Sequence, residues 1–145
     1  MASAVPDSDH VARYCSPLRI DHGELQASAF LLRRGKNEKD LSVNWMEALD
    51  PSKRAEQIRL LQEVFSRKMR RIPAGAEFAV LNVGGLRRQV ADGCPECPPL
   101  EVLHVPEPDD PSHAEIFGIE RDDQLVAELL LEAVLNRYPA RSPRL

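Results

Sequence analysis

Leu41-Ser-Val-Asn-Trp45, the run from Asp50-Pro51 to Arg71, and Glu77-Phe-Ala-Val-Leu-Asn-Val83 follow one another within residues 41–83, and each has a different period. The first alternates. Leu41, Val43 and Trp45 share one face and Ser42 and Asn44 the other, the pattern of a half-buried strand. Its polar face is small, which leaves room for something to approach it. In the second, Ile58, Leu61, Val64, Phe65 and Met69 recur at helical spacing, and basic residues fill the remainder. Asp50 is a good N-cap, Pro51 suits the first helical position, and Pro73 and Gly75 end the run. The third is a nearly continuous apolar segment of strand length, as expected for a central strand covered on both faces.

Working outward, His10–Cys15 reads as a strand closed by Ser16-Pro17. Residues 1–9 are small, polar and acidic and are expected to be disordered. Asp21-His22-Gly23 is a turn signal. Residues 25–32 fit a strand or a short helix equally, and 33–40 form a highly charged loop. Gly84-Gly85 ends the central strand, and Leu86–Val90 fits a short helix or a strand edge. Leu100–Val105 is the next strand, followed by an acidic, Pro-rich loop (106–111) and a short extended piece, Ala114–Phe117.

Leu125, Val126, Leu129, Leu130, Ala133 and Val134 make a helical stripe from Asp122, its cap, to about Tyr138, where Pro139 stops it. Residues 140–145 read as a loose tail. The expected fold is α+β: a mixed or antiparallel sheet of about four to six strands packed by two main helices, about 51–71 and 122–138, in one domain spanning 10–139.

A chain of 145 residues with 43% apolar and 29% charged side chains needs neither a disulfide nor a metal merely to fold. The start has no basic n-region or apolar h-region. The longest aliphatic run, Leu129–Leu131, sits between Glu128 and Glu132, so no membrane span is expected. Three cysteines cannot all pair within one chain, so no disulfide framework is expected, and a reduced cytoplasm is the expected location. Arg outweighs Lys, a bacterial-like, GC-rich composition.

Charge is distributed unevenly. Lys53, Arg54, Arg59, Arg67, Lys68, Arg70 and Arg71 face only Glu56 and Glu63 within 52–71, whereas 101–132 holds Arg121 alone among its acids. Arg59, Arg67, Lys68, Arg70 and Arg71 are therefore the expected docking face for another protein or a second copy of the chain. A pI of about 5.6 and the lack of interleaved aromatics argue against nucleic acid.

Cys94-Pro-Glu-Cys97 is the sharpest local motif. Two thiolates at this spacing can grip one tetrahedral zinc, with Cys15 and His104 completing a Cys3His set. The expected state is a pair of free thiols in a tight loop, with that zinc set as the alternative. A redox pair is disfavoured, because Pro98-Pro99 follows where such motifs begin a helix. His113 and Glu115 share a side of an extended segment and could act as base and orienter. Arg13, Ser42 and Glu115 occur in the order in which nicotinamide-dinucleotide-dependent transferases use those residue types. Asn82-Val-Gly-Gly is neither a P-loop nor GxGxxG.

Two functions remain. The first is a small accessory or protein-interaction domain without its own catalysis, with the basic helix and acidic C-terminal half as docking surfaces. The second is a small enzyme, ADP-ribosyltransferase-like or a hydrolase, acting on a nucleotide-like or phosphorylated ligand through Arg13, Ser42, His113 and Glu115. Convergence of those four in one cleft discriminates between them. No cofactor is expected, and a structural zinc is the alternative.

Overall fold

β-Pairing builds most of the molecule. A computed structural model describes residues 2–33 and 38–142. Its strands are β1 (Ser3–Ala4), β2 (His10–Cys15), β3 (Ile20–Asp21), β4 (Glu24–Leu25), β5 (Leu41–Trp45), β6 (Glu77–Asn82), β7 (Glu101–His104), β8 (His113–Phe117) and β9 (Val134–Pro139). Its helices are α1 (Met46–Leu49), α2 (Arg54–Lys68), α3 (Val83–Gly93) and α4 (Gln124–Glu132), with 3-10 turns at Pro17–Arg19 and Ala27–Phe30. Seven strands form one antiparallel sheet in the order β1-β7-β8-β5-β2-β6-β9, and β3 and β4 form a small hairpin. The class is α+β, with the antiparallel alternative realised. His22 and Gly23 at the hairpin turn both have positive φ, 50° and 80°, as a two-residue primed turn requires.

Strand alternation divides the core in two. Val11, Cys15, Leu41, Val43, Ala79, Leu81 and Ile116 face α3, α4 and the Ala27–Phe30 turn. Ala12, Phe78 and Val80 face the stripe of α2, where Ile58, Leu61, Val64 and Phe65 are buried. The spacing of those four is what puts them on one helix face.

The differences from expectation have local causes. The second main helix stops at Glu132 instead of about Tyr138, and Val134–Pro139 pairs with β6. Once Ala133 closes the helix, Val134, Asn136 and Tyr138 satisfy strand pairing better than a further turn. A bulge opposite Val80/Leu81 leaves Leu135 without a partner and 55% exposed, and it lets Val134 pack on one core and Tyr138 on the other. Asp123, not Asp122, caps α4 by accepting from Val126 N at 3.1 Å. In α2, Asp50 accepts from Ser52 N and Lys53 N, closing the turn before a helix that starts only at Arg54.

Gly84-Gly85 lies inside the first turn of α3, whose cap is Asn82, accepting from Gly85 N at 2.8 Å. A Cβ at Gly84 would stand 3.0 Å from the Asp7 Cβ, so the glycine lets the helix start pass the N-terminal segment. That segment is also ordered, contrary to expectation. Ser3 and Ala4 pair with His104 and Leu103, and Val5 is buried. Ala140 is equally tied down, its N–H donating to Ala76 O at 2.9 Å, so the expected loose tail is anchored at its start. Met1, residues 34–37 of the charged loop and 143–145 of the tail lie outside the described residues. Among the described residues no helix is long and apolar enough to cross a membrane.

Candidate functional site

The ladder between β2 and β5 has only two pairs, Val11↔Trp45 and Ala12↔Asn44. Continued, it would set Ser42 against Tyr14. Instead the Arg13 guanidinium fills the place, with Nη1 donating to Ser42 O at 2.9 Å, Nε to Ala29 O at 2.9 Å and Nη2 to Leu31 O at 3.3 Å. Nη1 and Nη2 also donate to the two oxygens of Glu38, at 2.9 and 3.3 Å. All five guanidinium N–H groups are therefore engaged. Burial lowers the Arg13 pKa from its usual value, and the Glu38 hydrogen bond and charge oppose that shift.

Glu38 also accepts from the backbone N–H groups of Arg33 (2.8 Å) and Ser42 (3.0 Å). Burial alone would raise its pKa, but Arg13 and those two donors outweigh burial and hold it at about 2.

A second buried network closes the other side. Asp110 is fully buried in the loop before β8. It accepts from Asn44 Nδ2 at 2.8 and 2.9 Å, from Ser112 Oγ at 3.0 Å and from Lys68 Nζ at 2.8 Å. Lys68 Nζ also stands 5.1 Å from the Phe65 ring centroid. The last turn of α2 is thereby tied to β5 and the loop before β8.

Between these networks lies a cleft of about 490 Å³. Its sheet-side wall includes Tyr14, Ser42, Asn44 and His113, and its helix-side wall Phe65, Lys68 and Met69. Arg19, Ser28, Arg33 and the half-exposed Glu107 complete its lining. Two polar atoms there are buried without a partner among the described residues, the Tyr14 hydroxyl and Arg33 Nε. Burial raises the Tyr14 pKa, so the hydroxyl keeps its proton.

Three of the four expected catalytic residues, Arg13, Ser42 and His113, line this one cleft. Glu115 is not in its lining but sits across from Ser42 in the β5–β8 register. Burial raises its pKa, with Asp40, Glu107 and Glu38 adding to the shift and His113 opposing it. No hydrogen bond joins Ser42 Oγ to His113 or Glu115 among the described residues, so the arrangement is not a nucleophile–base pair. A phosphate on Arg13 would have to displace Glu38.

The docking arginines are not one free face. Arg59 is held by ion pairs to Glu56 and Glu63, and Lys68 turns into the cleft. Arg67, Arg70 and Arg71 are exposed, and the last two line a shallow groove with Arg141.

The four metal candidates are not gathered. Cys94 and Cys97 are joined as a disulfide, which corrects the free-thiol expectation. Cys97 N donates to Cys94 O in a tight turn that brings the two side chains together. Cys15 is buried in the sheet, its thiol pushed up to about 11 by burial. His104 packs edge-on to Trp45 and its Nε2 lies 2.7 Å from Pro111 O. Among the described residues no group of three or more His, Cys, Asp or Glu is placed to hold a metal ion.

Sequence reasoning missed Tyr14, Arg33, Glu38, Asn44 and Asp110. The one signal was the alternation at 41–45, which set Ser42 and Asn44 on a small polar face. No protein-family model, curated protein or solved structure matches the chain.

Proposed function

We propose that the chain binds a small organic anion in the cleft between the sheet and the C-terminal turn of α2. The observation that carries this reading is the pair of orphaned donors, Tyr14 OH and Arg33 Nε, at its wall. An orphaned buried donor costs about 1–3 kcal/mol, and a ligand oxygen would relieve it. Of the carboxylates nearby, Glu38 accepts from Arg13 and Arg33, Asp110 accepts from Asn44, Ser112 and Lys68, and Glu107, which also lines the cleft, stands 3.9 Å from Lys68 Nζ. Tyr14, Arg19, Arg33 and Lys68 outnumber the single lining carboxylate, Glu107, which favours a ligand that accepts. Phe65 and Met69 supply an apolar wall for its carbon skeleton. The same chemistry fits the small-enzyme alternative, with a phosphorylated or carboxylated substrate.

The test is a matched pair of probes. Phenylacetate should bind and move the backbone amide resonances of Tyr14, Arg33 and Lys68, while the neutral phenylacetamide should not. Equal response to both, or none to either, would overturn the reading.

A second reading, docking of a protein or a second copy, is favoured by Arg67, Arg70, Arg71 and Arg141, none of which has an ion-pair partner among the described residues. Reversing Arg67, Arg70 and Arg71 to Glu should then weaken co-purification of a partner and its salt dependence. An unchanged partner set leaves those arginines as a solvated face.

A further inference from the structure

The two ring nitrogens of His113 have different fates. Nδ1 lies 2.9 Å from the Val105 carbonyl oxygen. A carbonyl oxygen only accepts, so Nδ1 carries the hydrogen and donates it. In the neutral ring Nε2 then keeps a lone pair. Among the described residues Nε2 has no hydrogen-bond partner, and the side chain lines the cleft.

His113 is 5% exposed, and its backbone is fixed on both sides: its N donates to Asp110 O at 3.1 Å, and Val105 N donates to His113 O at 3.0 Å. The acceptor is therefore held in place before any ligand arrives, in a lining whose charged groups, Glu107 apart, are the donors Arg13, Arg19, Arg33 and Lys68.

We infer that His113 is a specificity-determining residue whose Nε2 accepts from a hydroxyl on the ligand, so that the cleft selects an anion that also carries an O–H donor. Hydroxy acids and phosphate monoesters in their singly protonated form share this chemistry. Anionic oxygens would meet the Tyr14, Arg33 and Lys68 donors, and the hydroxyl would meet Nε2. The inference rests on the anion reading above and adds a second requirement to it. It also positions His113 to withdraw that hydroxyl's proton.

Mandelate and phenylacetate differ only by one hydroxyl, and their affinities for the full chain at neutral pH decide the matter. Mandelate should bind about tenfold more tightly, the effect of one added hydrogen bond. His113→Asn keeps a donor near the Nδ1 place and removes the Nε2 acceptor, so the preference should fall to within about twofold, a loss equal to that one bond. His113→Gln, whose amide oxygen can reach the Nε2 place, should keep part of it.

If neither anion binds, the anion reading fails and takes this inference with it. If both bind equally, the inference alone fails. A preference that survives in His113→Asn assigns the hydroxyl to another group and also overturns it. Should that variant not fold, the ring nitrogen resonances of the unaltered chain decide. Mandelate, and not phenylacetate, must shift Nε2.

Discussion

One face of the sheet has two halves that are built by opposite means. Over β2, β6 and β9 it carries Ala12, Phe78, Val80 and Tyr138, and α2 covers it with Leu61, Val64 and Phe65. The Phe65 ring stacks on Tyr14 and meets Phe78 edge-on, with centroids 5.3 and 5.1 Å apart. Over β5 and β8 the same face carries Ser42, Asn44, His113 and Glu115, and the last turn of α2 and the loop before β8 reach it through Lys68 and Asp110. The first half is held by packing, which is not directional. The second is held by hydrogen bonds that fix Asn44 and His113 from behind, and among the described residues Tyr14 OH, Arg33 Nε and His113 Nε2 have no partner. A polar network gives a fold little net stability, because desolvation offsets most of what pairing returns. Here it yields a cleft whose donors, and the acceptor His113 Nε2, are held in place.

The contrast predicts a graded response to substitution. Glu38→Ala should cost about 3–5 kcal/mol in urea unfolding, because it strands the Arg13 charge in a buried wedge. A loss under about 1 kcal/mol would mean that Arg13 finds other partners or water, and that the polar half is not locked from behind. Leu61→Ala, with a fully buried side chain, should cost about 2–5 kcal/mol by opening a cavity under α2. If it cost no more than a surface change, the helix face would be misassigned.

Acid should act on the polar half first. The folded-state pKa of Glu38 lies at about 2, below its ordinary 4.5. Its contribution is therefore complete above about pH 4.5 and is lost as pH falls toward about 2. In that window Leu61→Ala should lose stability in parallel with the unaltered chain. Glu38→Gln should show a flatter acid limb, and equal acid limbs in all three proteins would remove Glu38 from the account. The smallest effect belongs to Arg59→Ala, whose pairs with Glu56 and Glu63 are exposed on α2, at under about 0.5 kcal/mol.

The apolar half was legible in the sequence because burial by packing leaves a period. Ile58, Leu61 and Phe65 give the α2 face, and the apolar run from Glu77 gives a strand covered on both sides, which ends at Asn82 because Val83 opens α3. Where the period was read too far the reading failed. Ala133 and Val134 continue a helical stripe, yet Val134 opens a strand whose partner, β6, lies far away in sequence. The alternative Cys3His set is not assembled for a related reason. Cys94 and Cys97 are close enough to bond each other, whereas Cys15 and His104 occupy other strands for other purposes.

The polar half was legible only as residue types. Arg13, Ser42 and His113 do line one cleft, but Arg13 locks the wedge with all five donors, a role that depends on Glu38 and on carbonyls of residues 29, 31 and 42. Asp110 and Lys68 meet only because a loop folds back over the end of α2. No local pattern encodes such meetings.

The central claim is that the cleft's orphaned donors are held for a ligand, and Tyr14→Phe tests it most directly. The measurement is urea unfolding of this variant and of the unaltered chain, each with and without phenylacetate. Removing a buried hydroxyl that has no partner should raise the stability of the ligand-free protein by about 1–3 kcal/mol. The same change should reduce the further stabilisation that phenylacetate confers. A Tyr14→Phe protein that is less stable without ligand, yet gains as much from phenylacetate as the unaltered chain, would contradict the account.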